Sequence, residues 1–308
     1  MKIALSLGVL VFFFGVAEVV VRSMGEFDRS GNFYFRNRLI HPHEMPLKMV
    51  TENVAALRGS DDSIVTYHEA LGWVPRPGAV SADGLYRYNS QGLRSEVETY
   101  AARADSGVLR IALFGDSFTH GDDVPVADSW GAALETLLNR NGVPAEVLNF
   151  GVGGYGIDQA LLRYTRQGKS FAPDVVILGF APENLKRNLN LVRPLYDPRS
   201  GLPFAKPRFI LREDGISLIN VPVLSPEELA GTLRDFEAWD LARYEHFYDP
   251  ADFRGVWWQN SKLLATAATL RSGDRDPWLM KRIVFQERGE EQQLGWMIIS
   301  AFAQEAAA

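Results

Sequence analysis

The chain contains no cysteine. Disulfide staples, a cysteine nucleophile, cysteine-ligated zinc and iron–sulfur clusters are therefore excluded. Histidine is scarce as well, present only as His41, His43, His68, His120 and His246. Basic residues are outnumbered, 32 Lys and Arg against 38 Asp and Glu, for a formal net charge of −6 and a pI near 5.5. A general nucleic-acid binder needs a cationic face to neutralise phosphates, so nucleic acid is not an expected partner. No G-x-x-x-x-G-K-S/T loop occurs, which leaves phosphoryl transfer by that route without support. Repeats and low-complexity tracts are absent. What remains is a globular composition, 308 residues with 46% hydrophobic and 23% charged, enough for one large domain or two ordinary ones.

The long apolar run from Ile3 to Val21 carries a single charge, Glu18. As a helix it would be roughly 28 Å long, near the thickness of the hydrocarbon core. Lys2 and Arg22 flank it, and no clear A-x-A cleavage site follows. An uncleaved membrane anchor is expected, with a cleaved signal peptide and a buried helix as alternatives. The expected location of the body is outside the cytoplasm, although Lys2 set against Arg22, Arg29, Arg36 and Arg38 would, counted literally, hold it inside.

Residues 1–24 thus form an anchor or signal segment, and 25–107 a turn-rich, irregular lead-in punctuated by RPGAV, SADG and NSQG. Within it LGWVP and LYRYN suit edge strands or a segment packed on the main domain. From 108 to 308 the pattern is regular. VLRIALFG, AEVLNFG and PDVVILGF read as buried strands. Between them, Ser129 to Asn141 and Ile157 to Lys169 read as helices, the first with Ala132, Ala133, Leu134, Leu137 and Leu138 as its apolar face, Asp128 or Ser129 as N-cap and Gly142 as stop. Strand alternating with helix implies an α/β class with a parallel sheet in three layers. The proline-dense stretch 189–252 reads as an insertion over the sheet. Helical patterns return over Phe253–Arg271 and Glu290–Ala307.

Ligands of an open parallel sheet bind beyond the carboxyl ends of its strands. Three polar turns fall there: GDSFTHG (Gly115–Gly121), NFGVGGYG (Asn149–Gly156) and GFAPEN (Gly179–Asn184). Ser117 is either a helix N-cap or a nucleophile whose own N–H faces a developing oxyanion. The glycine-rich second turn offers a further N–H, and Asn184 a side-chain donor. Three such donors around a serine are the apparatus of acyl transfer.

These three turns resemble the first three blocks of the SGNH (GDSL-type) hydrolases, serine esterases and O-acyl esterases or transferases on a flavodoxin-like α/β/α fold. The resemblance spans roughly Leu71 to Asn190 and includes LGWVPRPG and YRYNSQGLRS, familiar from membrane-anchored bacterial members. It implies Ser117 as nucleophile, with Ser117, Gly154 and Asn184 forming the oxyanion hole. It also implies an ester or acylated-carbohydrate substrate, and neither cofactor nor metal. The third block normally reads Asn-Asp, whereas Glu183-Asn184 stands here. Asn184 is preferred over Glu183, because a carboxylate beside an oxyanion opposes its formation. The larger departure is the base. The family carries a D-x-x-H near its C-terminus, and no D-x-x-H occurs in this chain. Three explanations stand: an incomplete sequence and sheet, which is the one expected; another histidine, of which His120 is nearest Ser117 in sequence and His246 lies in the irregular stretch; or a non-catalytic, binding-only relative.

A rival reading takes Gly151-Val152-Gly153-Gly154-Tyr155-Gly156 as a G-x-G-x-x-G dinucleotide fingerprint. Against it, this is not the first strand, and Asp174, the acid about 20 residues on, opens a strand instead of closing one. Remaining polar residues have structural readings. Asp116 fixes its turn, Asp158 is a helix-start acid, and His41, His43 and His68 lie on surface loops without a third metal ligand. Trp257 and Trp258, with Phe253, form a core or cleft wall or a sugar platform. Lys186, Arg187 and Arg193 form a solvated loop, with an acidic substrate as the alternative.

Overall fold

The computed structural model describes residues 2–59, 63–272 and 289–308. Helix α1 (Lys2–Ser23) carries its apolar side chains on the outside. Its window Leu5–Ser23 has a mean hydropathy of 2.1 and is long and apolar enough to cross a membrane, a test that a signal sequence also passes. A small antiparallel sheet follows, β1 (Gly25–Phe27), β2 (Phe33–Phe35) and β3 (Arg38–Leu39). The lead-in then contains a helix that the sequence pattern did not mark, α2 (Leu47–Gly59), and the hairpin β4 (Val65–His68) with β5 (Gly72–Pro75).

The centre is a parallel sheet in the order β7-β6-β8, made of β6 (Leu109–Phe114), β7 (Ala145–Asn149) and β8 (Val175–Leu178). Alternation along β6 sends successive side chains to opposite faces. Ala112 and Phe114, with Leu148 of β7, pack against one helical layer. Ile111, Leu113 and Val147 meet the other. Helix α3 (Ser117–His120) leaves the end of β6. The outer layer on the second face is α4 (Trp130–Arg140), capped by the Ser129 hydroxyl and followed by Gly142 at φ +79°. The first face is covered by α5 (Ile157–Arg166) and by the last helix, whose Leu294, Ile298 and Phe302 enter the core. The architecture is α/β/α.

Two expectations change here. β8 is an edge strand with half-exposed side chains, and Val175 is 40% exposed, because no further strand pairs with it among the described residues. On α4 only Leu134 and Leu138 of the expected apolar face reach the sheet, while Leu137 is 60% exposed. A narrow sheet cannot cover a whole helical stripe.

The third turn runs into α6 (Asn184–Arg187) and then α7 (Arg193–Tyr196). The proline-dense stretch continues as the hairpin β9 (Arg208–Arg212) and β10 (Gly215–Ile219), then α8 (Pro226–Thr232) and α9 (Pro250–Phe253). It has its own core, which it shares with the lead-in: Met49, Val50 and Val54 of α2 pack with Leu191, Leu195, Leu229 and Phe236. Helix α10 spans Lys262–Ser272, starting later than the pattern from Phe253 indicated, and α11 spans Glu290–Ala307. The paired tryptophans separate: Trp257 is 90% exposed, while Trp258 packs against Phe33, Ile40 and Ala265.

Candidate active site

The strand-end turns meet at α3. A Cβ added to Gly115, after β6, would lie 2.2 Å from Thr119 Oγ1, and one on Gly179, after β8, 2.1 Å from the same atom. One on Gly151, after β7, would lie 2.4 Å from the His120 backbone nitrogen. Glycine at these positions lets three turns close on one short helix. Asn149 completes the clamp, its Nδ2 donating to Thr119 O at 2.8 Å and its Oδ1 accepting from Gly151 N at 2.9 Å.

Asp116 is the N-cap of α3: its Oδ1 accepts from Phe118 N at 3.0 Å. Its other oxygen accepts from Arg187 Nη1 at 3.0 Å, and the same nitrogen donates to Tyr155 O at 2.9 Å. Arg187, on α6 just beyond the third turn, therefore ties together the first and second turns. Ser117 itself is half-buried, and its Oγ makes no hydrogen bond among the described residues. The backbone N–H groups of Ser117 and Gly154 are equally uncommitted among them. Gly154 takes φ +83°, a left-handed conformation that glycine adopts without strain, and is half-buried. Asn184 is 1% exposed, with its Oδ1 buried and unpaired, whereas Glu183 is half-exposed and makes no capping bond. Of these two neighbours, it is Asn184 that turns inward.

His120 lies deep beneath this turn and is 3% exposed. Its Nδ1 donates to Asp122 Oδ1 at 2.5 Å, which leaves Nε2 to accept from the Tyr88 hydroxyl at 2.7 Å. Burial holds its pKa below the ordinary imidazole value, opposed by Asp122. Both ring nitrogens are thus committed, and neither meets Ser117. Arg94 fixes the same segment, donating to His120 O at 2.7 Å and to Gly121 O and Val124 O, and its guanidinium lies over the Tyr86 ring. The lead-in motifs therefore brace these turns directly. Trp73, fully buried, donates from Nε1 to Gly153 O at 3.2 Å, and Tyr155 donates to Trp73 O at 2.5 Å.

The other histidines have separate surroundings. His68 Nδ1 accepts from Ala70 N at 3.1 Å, and the His246 ring packs edge-on against Phe247. Asp252, unseen as a partner in the sequence, joins His41 and His43, with ligand atoms within 4.8 Å of one another. The two imidazoles stack with 4.2 Å between centroids and 17° between planes. Imidazole ligates metals through an in-plane lone pair, and lone pairs of stacked rings run side by side instead of converging. The trio as it stands is not a coordination site.

One sequence reading is corrected. The basic residues after the third turn are not solvated: Lys186 is 2% and Arg193 5% exposed, and Arg187 is half-buried. Asp158 is a helix-start acid, in the first turn of α5, and it is also fully buried against Lys206 Nζ. The dinucleotide reading finds no room either. Gly151 is filled by the α3 backbone, and a Cβ on Gly153 would face Asp122 Oδ2 at 3.5 Å, a carboxylate where phosphate would have to lie. Asp174 Oδ2 accepts from Arg110 N at 2.8 Å at the opening of β8.

Residues 113–209 match the family model for the GDSL-like Lipase/Acylhydrolase family. Among solved structures, the crystal structure of AlinE4, a SGNH-hydrolase family esterase, is 26% identical over 28% of this chain and 52% of that one, with a TM-score of 0.24. The chain thus spans about half the length of that structure. Two variants of the same esterase are 17% and 18% identical over 67% and 66% of this chain and 98% and 97% of theirs, with TM-scores of 0.25 and 0.24. No curated protein matches.

Proposed function

Because the segment 113–209, which holds all three strand-end turns from Gly115 onward, belongs to the GDSL-like lipase/acylhydrolase (SGNH) family, we propose that the protein performs acyl-ester chemistry with Ser117 as nucleophile. The observation that carries this reading is the uncommitted trio at the convergence of the turns: Ser117 Oγ and the N–H groups of Ser117 and Gly154. Ser117 Oγ attacks the ester carbonyl and forms a bond to its carbon. The carbonyl electrons move to oxygen, where the two N–H groups and the Asn184 amide stabilise the charge. Collapse expels the alcohol, which takes up the serine proton through a base, and the acyl-serine passes its acyl group to water or to a sugar hydroxyl. Phe118 and Phe180, exposed on the first and third turns, offer apolar surface to the acyl group.

One observation favours a second reading. The base must take the serine proton, and the nearest histidine in sequence, His120, is held at both nitrogens. A protein that binds the ester without turning it over would show this arrangement. A fluorophosphonate probe together with p-nitrophenyl acetate separates the two. Labelling that disappears in Ser117→Ala is expected; equal labelling of that variant overturns the nucleophile. Affinity for ester without an acyl-enzyme supports binding alone.

We also propose that α1 is retained as a membrane anchor that holds the domain outside the cytoplasm. Supporting retention, Glu18 on α1 accepts from Lys262 N and Leu263 N, each at 2.8 Å, and from Ser261 Oγ at 2.9 Å. It thereby caps α10, and a chain cleaved after α1 would lose that cap.

A further inference from the structure

Arg193 opens α7 and is 5% exposed. One nitrogen, Nη2, donates to Asp197 Oδ2 at 3.0 Å, and the guanidinium lies over the Tyr196 ring. Its Nε and Nη1 are buried and have no partner among the described residues. Unpaired buried donors are costly, and those of a cation more so. Burial, opposed by Asp197 and reinforced by Arg187, pulls the Arg193 pKa down to about 10, so the side chain is still a cation at neutral pH.

Its position gives these donors meaning. A Cβ placed on Gly154 would lie 3.5 Å from Arg193 Cζ. A Cβ sits about 2.5 Å from its own backbone nitrogen, so the guanidinium carbon lies within about 6 Å of the Gly154 N–H. Trp73 and Leu202 line the same spot, at 3.3 and 3.5 Å from that Cβ position. A second observation lies close by. Arg187 Nε and Asn188 Nδ2 are also buried without partners among the described residues, and Asn188 borders Gly156 on the same turn. Among the described residues, donors therefore accumulate along 187–193 with no acceptor to meet them, and two of them belong to a cation whose carboxylate partner, Asp197, engages a single nitrogen. The complement of such a cluster is an anion rich in lone pairs.

We infer that Arg193, assisted by Arg187 Nε and Asn188 Nδ2, forms an anion subsite beside Gly154 that receives a carboxylate or phosphate group borne by the ester substrate. The subsite rests on the Ser117 reading only in assigning the anion to the substrate; the anion site stands by itself. Arg193 is a binding residue here: its spare nitrogens, Nε and Nη1, lie on different edges of the guanidinium and offer directional, charge-assisted bonds that a lysine cannot reproduce.

Two measurements test this in the full-length protein in detergent. The first is calorimetric titration of Ser117→Ala with inorganic phosphate at fixed ionic strength, with chloride as control. Saturable phosphate binding is expected, weakened at least tenfold in Ser117→Ala/Arg193→Gln. Binding equal to that of chloride, or indifferent to Arg193, overturns the site. The second compares kcat/KM for mono-p-nitrophenyl succinate and p-nitrophenyl acetate. The wild-type ratio is expected to favour the carboxylate-bearing ester about tenfold, falling towards one in Arg193→Gln and only partly in Arg193→Lys. Taken within one variant, the ratio does not depend on how much protein is folded. A wild-type ratio of one overturns the assignment to substrate and leaves a site for free anion. No turnover with either ester, alongside Arg193-dependent phosphate binding, removes the Ser117 reading and keeps the subsite.

Discussion

Gly151 has no space for a side chain, because a Cβ there would press on the His120 backbone at 2.4 Å, and backbone cannot rotate away as a side-chain tip can. Gly151→Ala is therefore expected to destabilise the fold by about 1–3 kcal/mol, measured by urea unfolding, and to loosen α3. Unchanged stability would mean that the turn is not pressed on α3. A second residue-scale expectation concerns acid. His43 is pushed down to about 3 by burial and, secondarily, by His41. The folded chain keeps this ring neutral, while the unfolded chain protonates it below about pH 6.5. The unfolded state then binds more protons, so this contribution is complete above pH 6.5 and lost progressively as pH falls towards 3, on the order of a few kcal/mol. Unfolding free energy followed from pH 7 to pH 4 should fall less steeply in His43→Gln; parallel curves would count against a buried neutral ring.

Among the elements, the proline-dense stretch depends on a buried ion pair to hold α5. Lys206 Nζ meets Asp158 and also donates to Arg187 O at 3.0 Å and Asn190 O at 3.3 Å. Both charged side chains are almost wholly buried. Lys206→Met leaves the Asp158 carboxylate without its cation and should cost about 3–5 kcal/mol. Adding Asp158→Asn removes the stranded charge and should recover much of that loss. Equal stability of the single and double variants would show that the pair is not coupled. The lead-in is bound to the site just as directly: Arg94, Trp73 and Tyr88 reach α3 or the second turn from it. It braces the strand-end turns at least as much as it connects α1 to the sheet.

Across the whole molecule, α1 meets the rest of the chain near its end, where Glu18 and Arg22 bond the start of α10 and Val21 packs with Phe33, Ile40 and Ala265. The exposed apolar length of α1 requires a hydrocarbon surround in a retained anchor. The full chain is expected to stay with membranes after alkaline carbonate washing, with the intact N-terminal segment found by sequencing the mature protein. A mature chain beginning after Ser23 would instead identify a cleaved signal segment.

Several parts of this molecule were legible in the sequence alone. The central strands, α4, α5 and α11 follow from apolar periodicity, and the three turns from glycine and asparagine at strand ends, because these signals are local. Ser117 as a candidate follows from the order of the three motifs. The sequence also disclosed a missing D-x-x-H, since the absence of a motif is legible without any fold. Tertiary structure alone decided the commitments of the side chains. His120, three residues from Ser117, spends both nitrogens on Tyr88 and Asp122. Arg187 bridges turns that are far apart in the chain, and Arg193 lies buried over Gly154 with donors to spare. The edge position of β8 among the described strands was decided there as well. Hydrogen-bond partners and burial depend on residues brought together by folding, so no local pattern could encode them.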